Sequence, residues 1–183
     1  MSWLNTVLIL LVTILAVFWE AAFNGIRHIV GAQVDLLPAL IVYAALYGNV
    51  GIVATVAITG GLCFDSLSAN PLGITVLPLF LCGWFIHSIR DLILRDQTFA
   101  QIVLGYCASL AAPLITILLL LTTGKQPLFG WGTIWQLFVM SVGGAIATPI
   151  IFEAFALMDR VFGYHRSTEP SFRADREIRR GRS

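Results

Sequence analysis

VDLLPALIVYAALYGNVGIVATVAITGGLCFDSLSANPLG, residues 34–73, carries only two charged side chains, Asp35 and Asp65. The chain as a whole shares this character. Hydrophobic residues make up 58% of its 183 residues and charged residues 11%, with a mean hydropathy of +0.87. Ordinary soluble domains are about 25% charged. Because long apolar runs stay solvated only in lipid or against one another, the composition predicts an all-α, polytopic membrane protein.

Six helices are predicted from the apolar runs and the signals that bound them. Their expected ranges are Trp3–Trp19, Leu36–Tyr47, Val50–Phe64, Asn70–Ile89, Phe99–Leu121 and Thr133–Met158. Residues 20–34 mix polar and apolar side chains, which is typical of a segment lying along the membrane surface. One span needs about 20 residues, so six spans leave only short loops and a tail. We therefore expect a six-helix transmembrane domain over residues 1–160 and a disordered, basic cytoplasmic tail over residues 161–183.

Polar and proline residues indicate where two of these helices begin. Asp35 is expected to cap the second helix, with Pro38 in its first turn, where a missing N–H costs little. Asn70 and Pro71 are expected to cap and begin the fourth helix, which would kink near Pro78. The second and third helices have short apolar cores. They either extend into their polar flanks or form a re-entrant hairpin, and both arrangements return the chain to the same face.

Positive charge predicts the orientation in the membrane. With six crossings and a cytoplasmic N-terminus, residues 90–97 and the chain from Arg160 onward lie inside and hold nine of the eleven basic residues. Only Arg27 and Lys125 lie outside. This bias predicts a multi-pass membrane protein with both termini in the cytoplasm. Anionic lipids are the expected partners of the basic tail, with docking to a cytoplasmic protein as the alternative.

The sequence contains no recognised catalytic or nucleotide-binding motif. The three histidines fall in separate segments, and the three cysteines lie in apolar runs without a metal-binding spacing. We expect buried, inert thiols and an interfacial His87 bonded to a neighbour. The interpretation is therefore a non-enzymatic protein with no catalytic residues, no metal, no cofactor and no nucleic-acid partner.

Asp65 is the only charged residue between Leu36 and Ile89. An ionisable group at membrane depth is costly unless it is paired or capped, which makes it a candidate for function. Two interpretations are compatible with its position. Its carboxylate could accept backbone N–H bonds that order the loop to the fourth helix, or it could contact a partner or ligand directly.

Glu153 is the second carboxyl in an apolar run, near the inner end of the sixth helix. Pairing with Arg90 or Arg160, or extension of its side chain to the interface, is expected; an ion or proton site is the alternative. Small residues at four-residue spacing mark two faces for close helix packing, with contact to another membrane protein as the alternative. These residues are Thr55, Thr59, Gly60 and Gly61 in the third helix, and Ser141, Gly144, Ala145 and Thr148 in the sixth.

The stretch quoted above resembles the central part of the rod-shape-determining protein MreD family. In that family an aspartate opens helix two, glycines end helix three, and a second aspartate leads to a P-L-G. The matching residues here are Asp35, Gly60-Gly61, Asp65 and Pro71-Leu72-Gly73. The closing segment ATPIIFEAFALMDRVF is also similar to the family's end, and the resemblance covers most of residues 1–163.

The resemblance implies a scaffold in the bacterial cytoplasmic (inner) membrane that would belong to the bacterial elongation complex, or elongasome, and support lateral peptidoglycan synthesis and cell shape. It implies an MreC-like bitopic partner, a RodA-like glycosyltransferase with its penicillin-binding protein, and an indirect link to an MreB-like filament. It places Asp65, Asn70 and Pro71-Leu72-Gly73 as partner- or ligand-binding candidates.

By family analogy the fold is similar to the substrate-binding subunits of energy-coupling-factor vitamin transporters. That analogy supplies the alternative function, binding of a small molecule such as a vitamin near the outer face. The first helix departs from those subunits because it lacks their A-x-x-x-A docking pattern.

Overall fold

The computed structural model describes residues 3–22, 31, 33–68, 71–93, 97–123 and 130–163. Three sequence predictions lie outside these residues: the surface segment over most of 20–34, the Asn70 cap, and the tail beyond 163. Two compact units are present, Met1–Phe152 and Glu153–Ser183. The description below concerns the first unit unless stated otherwise.

The described ranges are helical and contain no strand. The helices are α1 Trp3–Ala22, α2 Leu37–Tyr47, α3 Val50–Leu67, α4 Val76–Ile89, α5 Thr98–Thr122 and α6 Trp131–Gly163, and a 3-10 turn, Arg90–Leu92, follows α4. Three stretches in this part of the chain are long and apolar enough to cross a membrane: Val50–Leu67, Thr98–Thr122 and Trp131–Met158. Two shorter apolar helices are Thr6–Ala22 and Leu37–Tyr47.

The junction between α3 and α4 differs from the prediction. The third helix continues to Leu67, so Asp65 lies in its last turn rather than in the following loop. The fourth helix begins at Val76, and Pro71 is outside it, because residues 72–75 form turns in which Gly73 has φ +87°. That conformation favours glycine, since it lacks a Cβ. Pro78 falls in the first turn of α4, where its missing N–H leaves no intrahelical bond unmade, so the predicted kink has no cause.

The short helix α2 lies at the centre of the bundle. Every residue from Leu37 to Leu46 is buried, and α2 contacts α1, α3, α4 and α5. The ring of Tyr43 packs edge-on against Phe152 of α6, with ring centroids 5.1 Å apart. A helix that is hydrophobic on all sides is typically a buried one, and eleven residues rise only about 16 Å. The length of α2 thus suits an enclosed core helix, whereas α3, its neighbour in the predicted hairpin, is long enough to span.

Polar groups of opposite character lie at the two ends of α2. At its N-terminus the Glu20 and Asp35 carboxyls accept the backbone N–H groups of Leu36 and Leu37. At its C-terminus Arg90 Nη1 donates to the Gly48 carbonyl oxygen at 3.0 Å. Acids at the N-terminus and cations at the C-terminus both complement the helix dipole. Hydrogen bonding thus concentrates at the ends of a helix whose own side chains are almost entirely apolar.

Helices α5 and α6 approach each other through small residues, as the spacing predicts. A Cβ added at Gly105 of α5 would lie 2.7 Å from the carbonyl oxygen of Gly144 in α6 and would collide with Thr148. A Cβ at Gly144 would collide with the Ser109 hydroxyl. The side chains of Ser141 and Thr148 also donate to carbonyls within α6, to Leu137 and Gly144. Internal packing is therefore confirmed for this face.

The paired glycines of α3 make two further close contacts. A Cβ at Gly60 would lie 2.7 Å from the Leu37 side chain and 2.9 Å from that of Thr13. A Cβ at Gly61 would lie 2.9 Å from the Val76 Cα atom. Gly60 therefore permits contact with α1 and α2, and Gly61 permits contact with the start of α4.

Candidate functional site: a buried carboxyl pair and the cavity beside it

Asp65 joins the end of α3 to the start of α4. Its side chain is buried, with only 1% of the residue exposed. One carboxylate oxygen accepts the Thr75 backbone N–H at 3.1 Å, and the other accepts the Thr75 hydroxyl. Since Thr75 immediately precedes α4, this pair of bonds, the Asp65–Thr75 clasp, fixes where α4 begins. The geometry favours the loop-ordering interpretation of Asp65, because both of its oxygens are engaged within the chain.

The residues that follow Asp65 differ in how accessible they are. Leu72 is 71% exposed, Pro71 and Gly73 are half-buried, and Asn70 lies outside the described residues. The Ile74 N–H bonds to the Pro71 carbonyl oxygen at 3.3 Å, which closes the turn. Of the described partner-binding candidates, Leu72 therefore presents the largest free surface.

Two carboxyl groups meet at the N-terminus of α2. Asp35 is 6% exposed, and its Oδ1 accepts the Leu37 N–H at 2.9 Å. Glu20, from α1, accepts the Leu36 N–H through Oε1, and its Oε2 is buried without a hydrogen bond to any described residue. Burial raises the pKa of Asp35 to about 6, although the bond from Leu37 acts in the opposite direction. Burial thus makes the ionised form of Asp35 costly unless a partner pairs with it.

A cavity of about 580 Å³ adjoins this carboxyl pair. Its polar lining comes from Asp35, Thr75, Thr116, Thr133 and Gln136. The remaining lining residues are glycines or apolar: Gly31, Phe64, Ala112, Pro113, Ile117, Leu120, Gly130, Gly132, Leu137 and Met140. Pockets for small molecules are typically about 300–1,000 Å³, mostly apolar with a few polar groups. The cavity has the size and lining of such a pocket, and Asp35 is the one acidic residue among the described residues that line it.

Asp65 and Pro71-Leu72-Gly73 do not line this cavity. The clasp touches it only through Thr75, whose hydroxyl is already given to Asp65. The carboxyl positioned for a ligand is therefore Asp35, which the sequence indicates only as a helix cap. Its side chain does bond to the first turn of α2, although Leu36 occupies the capping position itself.

Near the predicted inner side, Arg90 has other partners than expected, whereas His87 bonds to a neighbour as predicted. Arg90 donates to Gly48 and lies 3.7 Å from the carboxyl of its neighbour Asp91. His87 Nδ1 lies 3.0 Å from the Ala45 carbonyl oxygen, which confirms a histidine bonded to a neighbour. In the second unit Glu153 and Arg160 are both exposed, and the described residues contain no ion pair between them.

The cysteines follow the prediction only in part. Cys82 is buried and Cys63 is half-buried, but Cys107 is exposed, so its expected burial is wrong. Within the described ranges no cluster of three histidine, cysteine, aspartate or glutamate side chains could hold a metal ion.

Two residues of the site escape sequence reasoning. Glu20 lies sixteen residues before the amide that it accepts, and Thr75 lies ten residues after Asp65. Neither spacing is a local signal. A glutamate ending an apolar helix is unusual, however, and could have marked Glu20 as a group that needs a partner.

No protein-family model, no curated protein and no solved structure matches this chain.

Proposed function

We propose that this chain is a non-enzymatic scaffold of the bacterial cell-elongation complex, in the cytoplasmic membrane, that supports lateral peptidoglycan synthesis and cell shape by binding an MreC-like partner. The observation that carries the proposal is the Asp65–Thr75 clasp. Three of the residues that resemble MreD meet there: Asp65 binds Thr75 across the turn at Gly73, and Gly61 packs on Val76. A motif so placed gives the chain a fixed turn that presents Leu72.

The arrangement of helix ends supports six crossings with both termini in the cytoplasm. That topology assigns the ends of α3 and α5 and the starts of α4 and α6 to the outer side. Residues from these four ends line one cavity. Helices that alternate in direction bring their ends together in this way. A RodA-like glycosyltransferase, its penicillin-binding protein and, indirectly, an MreB-like filament complete the proposed complex, and anionic lipids hold the basic tail.

Paired leucine substitutions test the scaffold. Leu72 and Leu92 are 71% and 86% exposed and lie beyond opposite ends of α4. We expect Leu72→Asp to reduce capture of an MreC-like protein from solubilised membranes severalfold at equal membrane abundance, and Leu92→Asp to leave capture unchanged. Capture that is equal for both variants, or absent with the unaltered chain, would reject the turn as the binding surface.

The cavity favours a second function, binding of a small molecule, as in the energy-coupling-factor subunits that the fold analogy suggests. Asp35 rather than Asp65 is then the residue to change, because both oxygens of Asp65 bond to Thr75. Mass spectrometry of gently extracted protein tests this function. A retained small molecule that is lost in Asp35→Asn supports it, and an empty spectrum contradicts it.

A further inference from the structure

We propose that the cavity beside α2 binds a small amphipathic molecule carrying a protonated amine, and that the Asp35 carboxylate is the partner of that amine. The proposal deepens the second proposed function by naming the ligand chemistry. It does not depend on the scaffold.

The carboxyl of Asp35 has unused hydrogen-bonding capacity. An ionised carboxylate has about four acceptor positions, and the described residues supply one bond, from the Leu37 N–H. Asp35 lines the cavity, and only 6% of the residue is exposed. A ligand donor in the cavity can therefore reach the Asp35 carboxylate.

The charged group that the described residues place at this end of the cavity is a carboxylate. Asp35 is the only charged residue among the described residues that line the cavity. The N-terminus of α2 offsets only part of this charge, about half an elementary charge. A buried carboxylate is costly unless it is paired, so a cationic group is the favoured partner for Asp35.

The remaining walls describe the rest of the ligand. Ile117, Leu120, Leu137 and Met140 offer an apolar surface, and Phe64 adds an aromatic ring. The hydroxyl of Thr116 donates to the Ala112 carbonyl, which leaves its oxygen as an acceptor for a further N–H. An apolar body with an ammonium group at one end satisfies both the walls and the acid.

Three fluorescent probes of one shape separate charge from shape: 2-naphthylmethylamine, 2-naphthylmethanol and 2-naphthoic acid. The full chain is placed in phosphatidylcholine nanodiscs, empty nanodiscs are subtracted, and binding is measured by fluorescence anisotropy. We expect saturable binding of the amine and at least about tenfold weaker binding of the alcohol and the acid, since the charge-assisted bond is lost.

Two variants and a control assign the amine to the cavity. Asp35→Asn is expected to weaken amine binding at least about tenfold, while Glu153→Gln, an exposed carboxyl on α6, leaves it unchanged. Thr116→Phe fills the cavity without altering a carboxyl, and decides the outcome if Asp35→Asn does not fold. Equal binding of amine and alcohol, amine binding undiminished in Asp35→Asn, or full binding in Thr116→Phe overturns the proposal. None of these outcomes bears on capture of an MreC-like protein.

Discussion

At the scale of single residues, Asp65 shows why an apolar chain retains a carboxylate. Its two bonds to Thr75 satisfy a buried N–H and a buried hydroxyl at the start of α4. Lipid offers no replacement for either bond, so each donor would remain unpaired without Asp65. Asp65 therefore stabilises the fold mainly by keeping the two buried donors of Thr75 from being unpaired, rather than by a strong attraction of its own.

Removal of this carboxylate is expected to destabilise the protein. Asp65→Ala leaves two buried donors of Thr75 unpaired and should lower the free energy of unfolding by about 2–4 kcal/mol. Thermal unfolding in detergent measures the change. Asp91→Ala is the matched control, because the Asp91 side chain is 84% exposed, and it should shift stability by no more than about 0.5 kcal/mol. Equal melting temperatures for the two variants would show that the clasp does not hold α4.

At the scale of elements, α2 shows how a short apolar helix is stabilised in this bundle. Lipid tails are as apolar as its leucines, so burial against other helices gains little hydrophobic free energy in a membrane. Close packing and hydrogen bonds at the helix ends must contribute instead. Gly60 admits Leu37 on one side, and Arg90 and His87 bind carbonyls near the C-terminus of α2.

The α5–α6 contact offers a direct test of this packing. Gly105→Ala places a methyl group 2.7 Å from the Gly144 carbonyl oxygen, so the two helices must separate. We expect a loss of about 1–3 kcal/mol in the free energy of unfolding, measured by thermal unfolding in detergent. Gly132→Ala, also in a helix, meets no atom within 4 Å and should be neutral or slightly stabilising. A loss in the Gly132 variant as large as that in the Gly105 variant would contradict the role of close approach.

At the scale of the whole molecule, the positions of the helix ends and the distribution of positive charge are compatible with the same six-crossing topology. The cavity collects the helix ends that the positive-inside rule assigns to the outer face. The 3-10 turn at Arg90–Leu92 follows the opposite end of α4. An amine-binding cavity at the outer end would face the same compartment as the turn that presents Leu72.

Cysteine labelling in intact cells tests this orientation. In a background without the native cysteines, Gly130→Cys near the cavity should react with an impermeant maleimide added outside. Leu92→Cys at the other end of α4 should react only after the membrane is permeabilised. Both positions are exposed in the structure. The reverse pattern would show that the orientation is opposite to the one proposed. Reaction of both cysteines in intact cells would show that the two positions lie on the same side of the membrane.

The sequence by itself determined the helical class, five of the six helix cores to within a few residues, and the small-residue contacts. These features could be predicted because apolar runs and residue spacing are local properties of the sequence. It misplaced the start of α4, because the carboxylate that fixes that start binds ten residues ahead. Only the tertiary structure decided that Glu20 and Asp35 share one helix end, and that Asp35, not Asp65, lines the cavity. Those contacts join separate helices. The spacing of their residues along the chain is not a local pattern, so the sequence does not indicate that they meet.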